Sequence, residues 1–173
     1  MKKQIYLLVT GLILTFVIGY WLLPNPEGLG KAPDISLKFI DGQKIDFKSL
    51  QGKPLLVTFW STSCSICMHE IPRLVRLYEE FNKEGFEIIA IAMSYDPPNQ
   101  VIELSKRKNI TYPIALDIDG SASKAFGNVQ VTPTSFLVDQ LGNIVQHKTG
   151  EINIKQLRLK VKELLQTNLT TIS

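Results

Sequence analysis

The chain holds two cysteines, three positions apart, in Cys64-Ser65-Ile66-Cys67. That spacing and its flanks constrain the fold more than any other feature. A pair so close together closes no long loop, so it cannot frame a small disulfide-stapled domain. The fold must rest on a hydrophobic core, and 173 residues suffice for one ordinary domain with a short appendage. Ahead of the pair, Leu55 to Trp60 is apolar except for Thr58, which suits a central strand buried on both faces. Behind it, Ile71, Leu74, Leu77, Tyr78 and Phe81 recur at three- and four-residue spacing. This predicts a helix from about Cys64 to Lys83, ending at Gly85 and kinked at Pro72.

The pair therefore stands where a buried strand turns into a helix. Positions i and i+3 share a helix face, about 5–6 Å apart at Cβ, and a modest adjustment in the first turn lets the sulfurs bond. Free backbone N–H groups and the helix dipole at Cys64 favour a thiolate, the attacking species in disulfide exchange. Cys67, one turn deeper, suits the resolving role. The alternatives are two buried free cysteines, an inert structural disulfide, or half of a zinc site. The last needs further ligands, and His69 and His147 give no zinc-finger pattern.

Elsewhere strands and helices alternate. Ile35 to Phe47 alternates around Asp41-Gly42 as a hairpin, and Ser49 to Lys53 is a short helix or turn. Phe86 to Met93 is a second buried strand, followed by a helix over about 99–108 and a short strand over 112–116. A short helix over 121–126 ends at Gly127. Ser135 to Asp139 and Ile144 to Lys148 form a hairpin around Gly142-Asn143, and Asn153 caps a last helix running to about Leu165. The order implies an α/β domain, a mixed sheet with helices on both faces.

The N-terminus differs in kind. Residues 5–23 carry no charge, and fifteen of these nineteen are apolar or aromatic. As a helix the run spans roughly 28 Å, close to the roughly 30 Å hydrocarbon core of a bilayer. Tyr20 and Trp21 fall at the interface position, and Pro24 and Pro26 stop the helix. The run is long for a cleaved signal peptide and no A-x-A site follows; no cysteine follows it for a lipoprotein anchor. The expected organisation is a cytoplasmic N-terminus (1–4), a transmembrane signal anchor (5–23), a linker (24–33), one domain (34–167) and a tail (168–173). Lys2 and Lys3 orient the domain away from the cytoplasm, where thiols oxidise by default. These two lysines hold two of the three net positive charges. The domain is thus nearly neutral, and no Lys/Arg block suggests nucleic acid.

Residues 33–165 resemble the thioredoxin superfamily, in particular the membrane-anchored TlpA/ResA-like thiol-disulfide oxidoreductases. The resemblance is carried by Phe59-Trp60, Cys64-Ser65-Ile66-Cys67, Glu70-Ile71-Pro72, Val131-Thr132-Pro133-Thr134, Phe136-Leu137-Val138-Asp139 and Gly142-Asn143-Ile144. It implies a thioredoxin-like fold with a strand-helix insert around 86–117. It also implies a cis Thr132-Pro133 bond, an isomer found at about 5–6% of X-Pro bonds, in a loop packed against the active-site disulfide. Ser63 stands where the family usually has Trp, Ser65-Ile66 replaces a pair that often contains Pro, and Thr58 occupies the place of thioredoxin's buried Asp.

The resemblance implies catalysis by Cys64 and Cys67, with Pro133, Glu70 and Trp60 assisting. Glu70 matches an acidic residue of the cytochrome-c-maturation members and can relay a proton or raise thiol pKa values; the competing reading is a solvated helix glutamate. Trp60 reads as packing beneath the site, and His69 as an exposed helix residue. The implied enzyme is a single-pass inner-membrane protein disulfide reductase with its domain on the periplasmic side. Its expected partners are exported protein disulfides, such as apocytochrome c, a membrane thiol-disulfide electron donor, and the bilayer through residues 5–23. It calls for no cofactor or metal. The alternatives are a disulfide oxidase or isomerase on the same fold, or a Cu(I) metallochaperone for oxidase assembly.

Overall fold

The computed structural model describes the backbone of residues 29–171 and side chains through residue 167. The expected anchor at 5–23 lies outside the described residues. Among the described residues, no helix is long and apolar enough to cross a membrane.

Strands β1 (Ser36–Phe39) and β2 (Lys44–Asp46) form the first hairpin, and a single 3-10 turn, Phe47–Leu50, follows. Strand β3 (Leu55–Trp60) leads into helix α1 (Ser65–Phe81), and Gly85, at φ 99°, ends the 3-10 turn that follows it. Then come β4 (Glu87–Ala92), α2 (Pro98–Arg107), β5 (Ile114–Leu116), α3 (Ser121–Ala125), β6 (Thr134–Val138), β7 (Ile144–Thr149) and α4 (Ile154–Thr171). The seven strands lie in the order β2-β1-β5-β4-β3-β6-β7. β3, β4 and β5 run parallel, while β1, β6 and β7 add antiparallel. This is the expected mixed thioredoxin-like sheet flanked by helices.

The period-2 alternation of the central strands divides the core in two. Leu56, Trp60, Ile88, Ala90 and Leu137 face α1, α2 and α4, whose Ile71, Leu74, Val101, Leu157 and Val161 cover them. Leu55, Val57, Phe59, Ile89 and Phe136 face the opposite layer, which Phe47, Ala122 and Phe126 close. Phe126 meets Phe47, Phe59 and Phe136 with ring centroids 5.7, 5.5 and 5.0 Å apart. Both layers meet at β3, the strand that leads into the cysteine motif. All six of its residues are buried.

Helix α1 runs unbroken through Pro72. The proline removes one i−4 hydrogen bond, and the apolar ridge on the sheet holds the turn. Two details differ from the sequence expectation. Helix α4 runs to Thr171 rather than ending near Leu165, because no Gly or Pro follows to stop it. The segment before β1, expected as a linker, is tied down from residue 29. Leu29 N–H bonds Ile144 O at 2.9 Å, Ile144 N–H bonds Gly30 O at 2.8 Å, and Ala32 N–H bonds Gly142 O at 2.9 Å.

Candidate active site at the β3–α1 junction

β3 ends at Trp60, and four residues later Cys64 caps α1. Cys64 is extended (φ −83°, ψ 107°), and its Sγ accepts the Cys67 N–H at 3.1 Å. The sulfur therefore fills the place a serine or aspartate oxygen takes at an ordinary N-cap. One free N–H of the helix end already points at it, the arrangement that stabilises a thiolate. Cys64 and Cys67 are joined as a disulfide, with Cα atoms 5.2 Å apart. Their surroundings differ: Cys67 is buried, while Cys64 is only partly so.

The approach loop is held by a residue that the sequence pattern does not single out. Asp96, buried beyond the end of β4, accepts Thr62 N–H at 2.6 Å and Thr62 Oγ1 at 3.0 Å. The two bonds fix the chain two residues before Cys64. Asp96-Pro97-Pro98 reads in sequence as a turn; only the parallel pairing of β3 with β4 brings it to the motif.

Pro133 closes the other side. Its bond to Thr132 is cis, as the resemblance implies. The register pairs Phe59 with Thr134, which sets Pro133 beside the end of β3 where the chain leaves for Cys64. Gly150 N–H donates to Pro133 O at 2.8 Å and Thr134 Oγ1 to Val131 O at 2.7 Å, so the loop is pinned at both ends.

Glu70 is not solvated. It is 2% exposed, and its Oε1 accepts the Ile152 N–H at 2.6 Å. Burial first, and then the neighbouring Glu151, holds its carboxyl above the usual 4.5; the Ile152 bond and Arg73 oppose this incompletely. It lies one helical turn beyond Cys67. Burial, and secondly the charge of Glu70, also pushes the Tyr112 phenol up. At thioredoxin's Asp position, Thr58 is buried and shares a hydrogen bond of 3.0 Å with Ser135 Oγ. The pair is neutral, so the buried carboxyl on this side of the sheet is that of Glu70 on α1 rather than one on β3.

Trp60 shares the core cluster of Cys67 and Ile71, 4% exposed, and among the described residues its Nε1 has no hydrogen-bond partner. His69 is exposed. His147 stacks on Phe136 at 4.4 Å, on the far side of β6 from the disulfide. Among the described residues, no three His, Cys, Asp or Glu side chains gather to hold a metal ion.

Comparison with known proteins places this geometry. The model of the AhpC/TSA family matches residues 30–147, the span that carries both cysteines, Glu70 and Pro133. The chain belongs to the AhpC/TSA family. Within it, the chain is an enzyme of the thiol-disulfide oxidoreductase class. It is 32% identical over 162 residues to thiol-disulfide oxidoreductase ResA of Bacillus cereus (strain ATCC 10987 / NRS 248), covering 92% of each chain. The thiol:disulfide interchange protein of Chlorobium tepidum TLS superposes with a TM-score of 0.73 at 28% identity, over 82% of this chain and 99% of that one. StoA from Bacillus subtilis superposes with a TM-score of 0.64 at 25% identity, over 74% of this chain and 96% of that one.

Proposed function

We propose that this enzyme is a membrane-anchored disulfide reductase of exported proteins, apocytochrome c among them. The observation that carries the reading is the unequal cysteine pair, with Cys64 accessible as a helix N-cap and Cys67 buried one turn from a buried Glu70. The Cys64 thiolate attacks one sulfur of a substrate disulfide. A Cys64–substrate bond forms, and the other substrate sulfur leaves as a thiolate and takes up a proton. Cys67, deprotonated, then attacks Cys64 Sγ. The intramolecular disulfide forms and the second substrate sulfur leaves. Two electrons pass from enzyme to substrate, and the enzyme is left in the disulfide form described above. A thiol-disulfide electron donor in the membrane restores the dithiol.

Glu70 supports the reducing direction. A carboxylate near the cysteines disfavours a thiolate. A reduced form that is less stabilised gives up its electrons more readily, the reverse of the strongly oxidising members. Neutral Thr58 and Ser135 do nothing to offset this. Exposed Ile66, in the first turn of α1, and exposed Tyr95 and Val131, on loops at the same end of the sheet, offer apolar contact to an incoming polypeptide.

The test is a pair of variants and a potential. Cys67→Ser should accumulate a mixed disulfide on Cys64 with oxidised substrate, and Cys64→Ser should accumulate none. Full turnover by either variant overturns the two-cysteine cycle. A reduction potential near about −120 mV would make the enzyme an oxidase instead.

A further inference from the structure

Beyond the disulfide, one groove of the nearly neutral domain is rich in positive charge. An open groove of about 670 Å³ is lined by Arg73, Arg76, Lys155 and Arg158, with Glu151 as its acidic residue. Arg73 pairs with Glu151 at 2.6 Å, and Arg158 pairs with Glu80 at 3.0 Å. Arg76 and Lys155 are exposed and make no ion pair among the described residues. With Arg73 matched by Glu151 and Arg158 by Glu80, the groove keeps a surplus of two positive charges, on Arg76 and Lys155, in a chain whose whole net charge is +3 with two of those at Lys2 and Lys3. Unmatched cations converging on one groove are an anion-attracting feature.

Its position ties it to the site. Cys67, Glu70 and Arg73 follow at three-residue intervals on α1, so Arg73 lies about 9 Å along the helix from Cys67. The opposite wall begins at Ile152, whose N–H binds Glu70, two residues after Gly150, whose N–H binds Pro133 O. Both walls of the groove are thus direct continuations of the segments that hold the disulfide site, α1 beyond Cys67 and the chain beyond Gly150. The groove also faces away from the chain's entry. Leu29 to Ala32 is bonded to residues 142–144, at the start of β7, whereas the groove opens past its far end at Thr149. The strand separates the two by roughly 17–20 Å. That placement favours a docked polypeptide over a lipid headgroup.

We infer that the groove is a specificity site for an acidic segment of the substrate polypeptide, with carboxylates about four to six residues from the attacked cystine. This separation follows from the about 14–18 Å along the helix from Cys64 to Arg73 and Arg76, spanned by an extended chain at about 3.3–3.6 Å per residue. Arg76 and Lys155 supply the unmatched charge. The inference rests on the disulfide-reduction reading, and its test separates the two.

The full chain, reduced and in detergent, is given two peptides with the same cystine loop. One carries Glu-Asp-Glu four residues from a cysteine, the other Ser-Gly-Ser. The acidic peptide should show about a fivefold or greater advantage in kcat/KM at low ionic strength, fading as salt screens the groove. In the Arg76→Glu, Lys155→Glu double variant the acidic-to-neutral ratio should fall to one or below. Equal rates with the unaltered chain, or a ratio the double variant retains, overturn the proposal. Loss of the preference in phosphatidylglycerol but not phosphatidylcholine nanodiscs assigns the groove to lipid and overturns it too. If neither peptide is reduced, the reductase reading fails, and fluorescence anisotropy with a cystine-free acidic peptide decides the groove alone. Binding to the unaltered chain that the double variant lacks supports it, and no binding overturns it.

Discussion

Cys64 and Cys67 are the same side chain in two environments, and the proposed division of labour, one attacking and the other resolving, rests on that difference. Their spacing and the adjoining strand and helix make this asymmetry legible in the sequence. Glu70 is only half legible. A glutamate in a helix is usually solvated, and its hydrogen-bond partner is Ile152, eighty-two positions away. Its burial has a pH signature in the oxidised enzyme, where the cysteines do not titrate. Between 4.5 and its raised folded value, Glu70 keeps a proton in the folded state that the unfolded chain releases. Stability from this group is therefore full below about 4.5 and declines as pH rises through the folded pKa. The substitution Glu70→Gln keeps an acceptor for Ile152 and removes the titration. The stability difference between the unaltered chain and the Glu70→Gln variant, from urea unfolding, should fall across that window and then level. A difference that does not vary with pH would show that the carboxyl is not held protonated.

At the scale of elements, β3 can be read from its continuous apolar run because both its faces are buried, and α1 from its hydrophobic period because it buries one ridge. What the pattern does not contain is the tether between elements. Asp96 belongs to the turn after β4, yet its bonds go to Thr62 before α1. Asp117 is the parallel case. Buried beyond the end of β5, it accepts Ala122 N–H at 2.8 Å and Ser123 N–H at 2.9 Å, capping α3 from outside the helix where Gly120 offers no side chain. Both are aspartates in loops, where sequence suggests solvent. Asp117 is settled by the local turn into α3, and Asp96 only once the parallel pairing of β3 and β4 aligns their C-terminal ends. Asp96→Ala should leave the Thr62 N–H without its acceptor and cost about 1–3 kcal/mol of stability. It should also make alkylation of reduced Cys64 less uniform in rate, because the loop before the nucleophile is no longer fixed. Chemical unfolding and iodoacetamide kinetics measure the two effects. Unchanged values in both would assign the loop's order to backbone packing alone.

For the whole molecule, the alternation of strands and helices is enough to give the mixed sheet, because period and connection length leave few other ways to bury these faces. The path of the chain into the domain is not deducible that way. Residues rich in Gly and Pro read as a linker, but Leu29 to Ala32 add a strand-like edge to the β6–β7 hairpin. The isolated bridge Lys31–Asn143 and the Lys31 Nζ bond to Leu141 O at 2.7 Å complete it. Nothing in a Leu-Gly-Lys-Ala run announces pairing; most of the bonds are main-chain, and main-chain groups carry no sequence signature. The consequence is mechanical. A domain fastened at this edge is held with the start of β7 toward its N-terminal segment and the disulfide end of the sheet away from it, whatever the segment before residue 29 does. Chains beginning at residue 29 and at residue 34 should therefore differ in stability by about 1–3 kcal/mol, from a few surface hydrogen bonds worth about 0.5–1.5 kcal/mol each. Their rates of disulfide exchange with a small cystine substrate should agree, because the lost edge lies at the opposite end of β7 from Pro133 and Cys64. Equal unfolding midpoints would show that the edge pairing contributes nothing to the fold, and unequal exchange rates would show that it reaches the site.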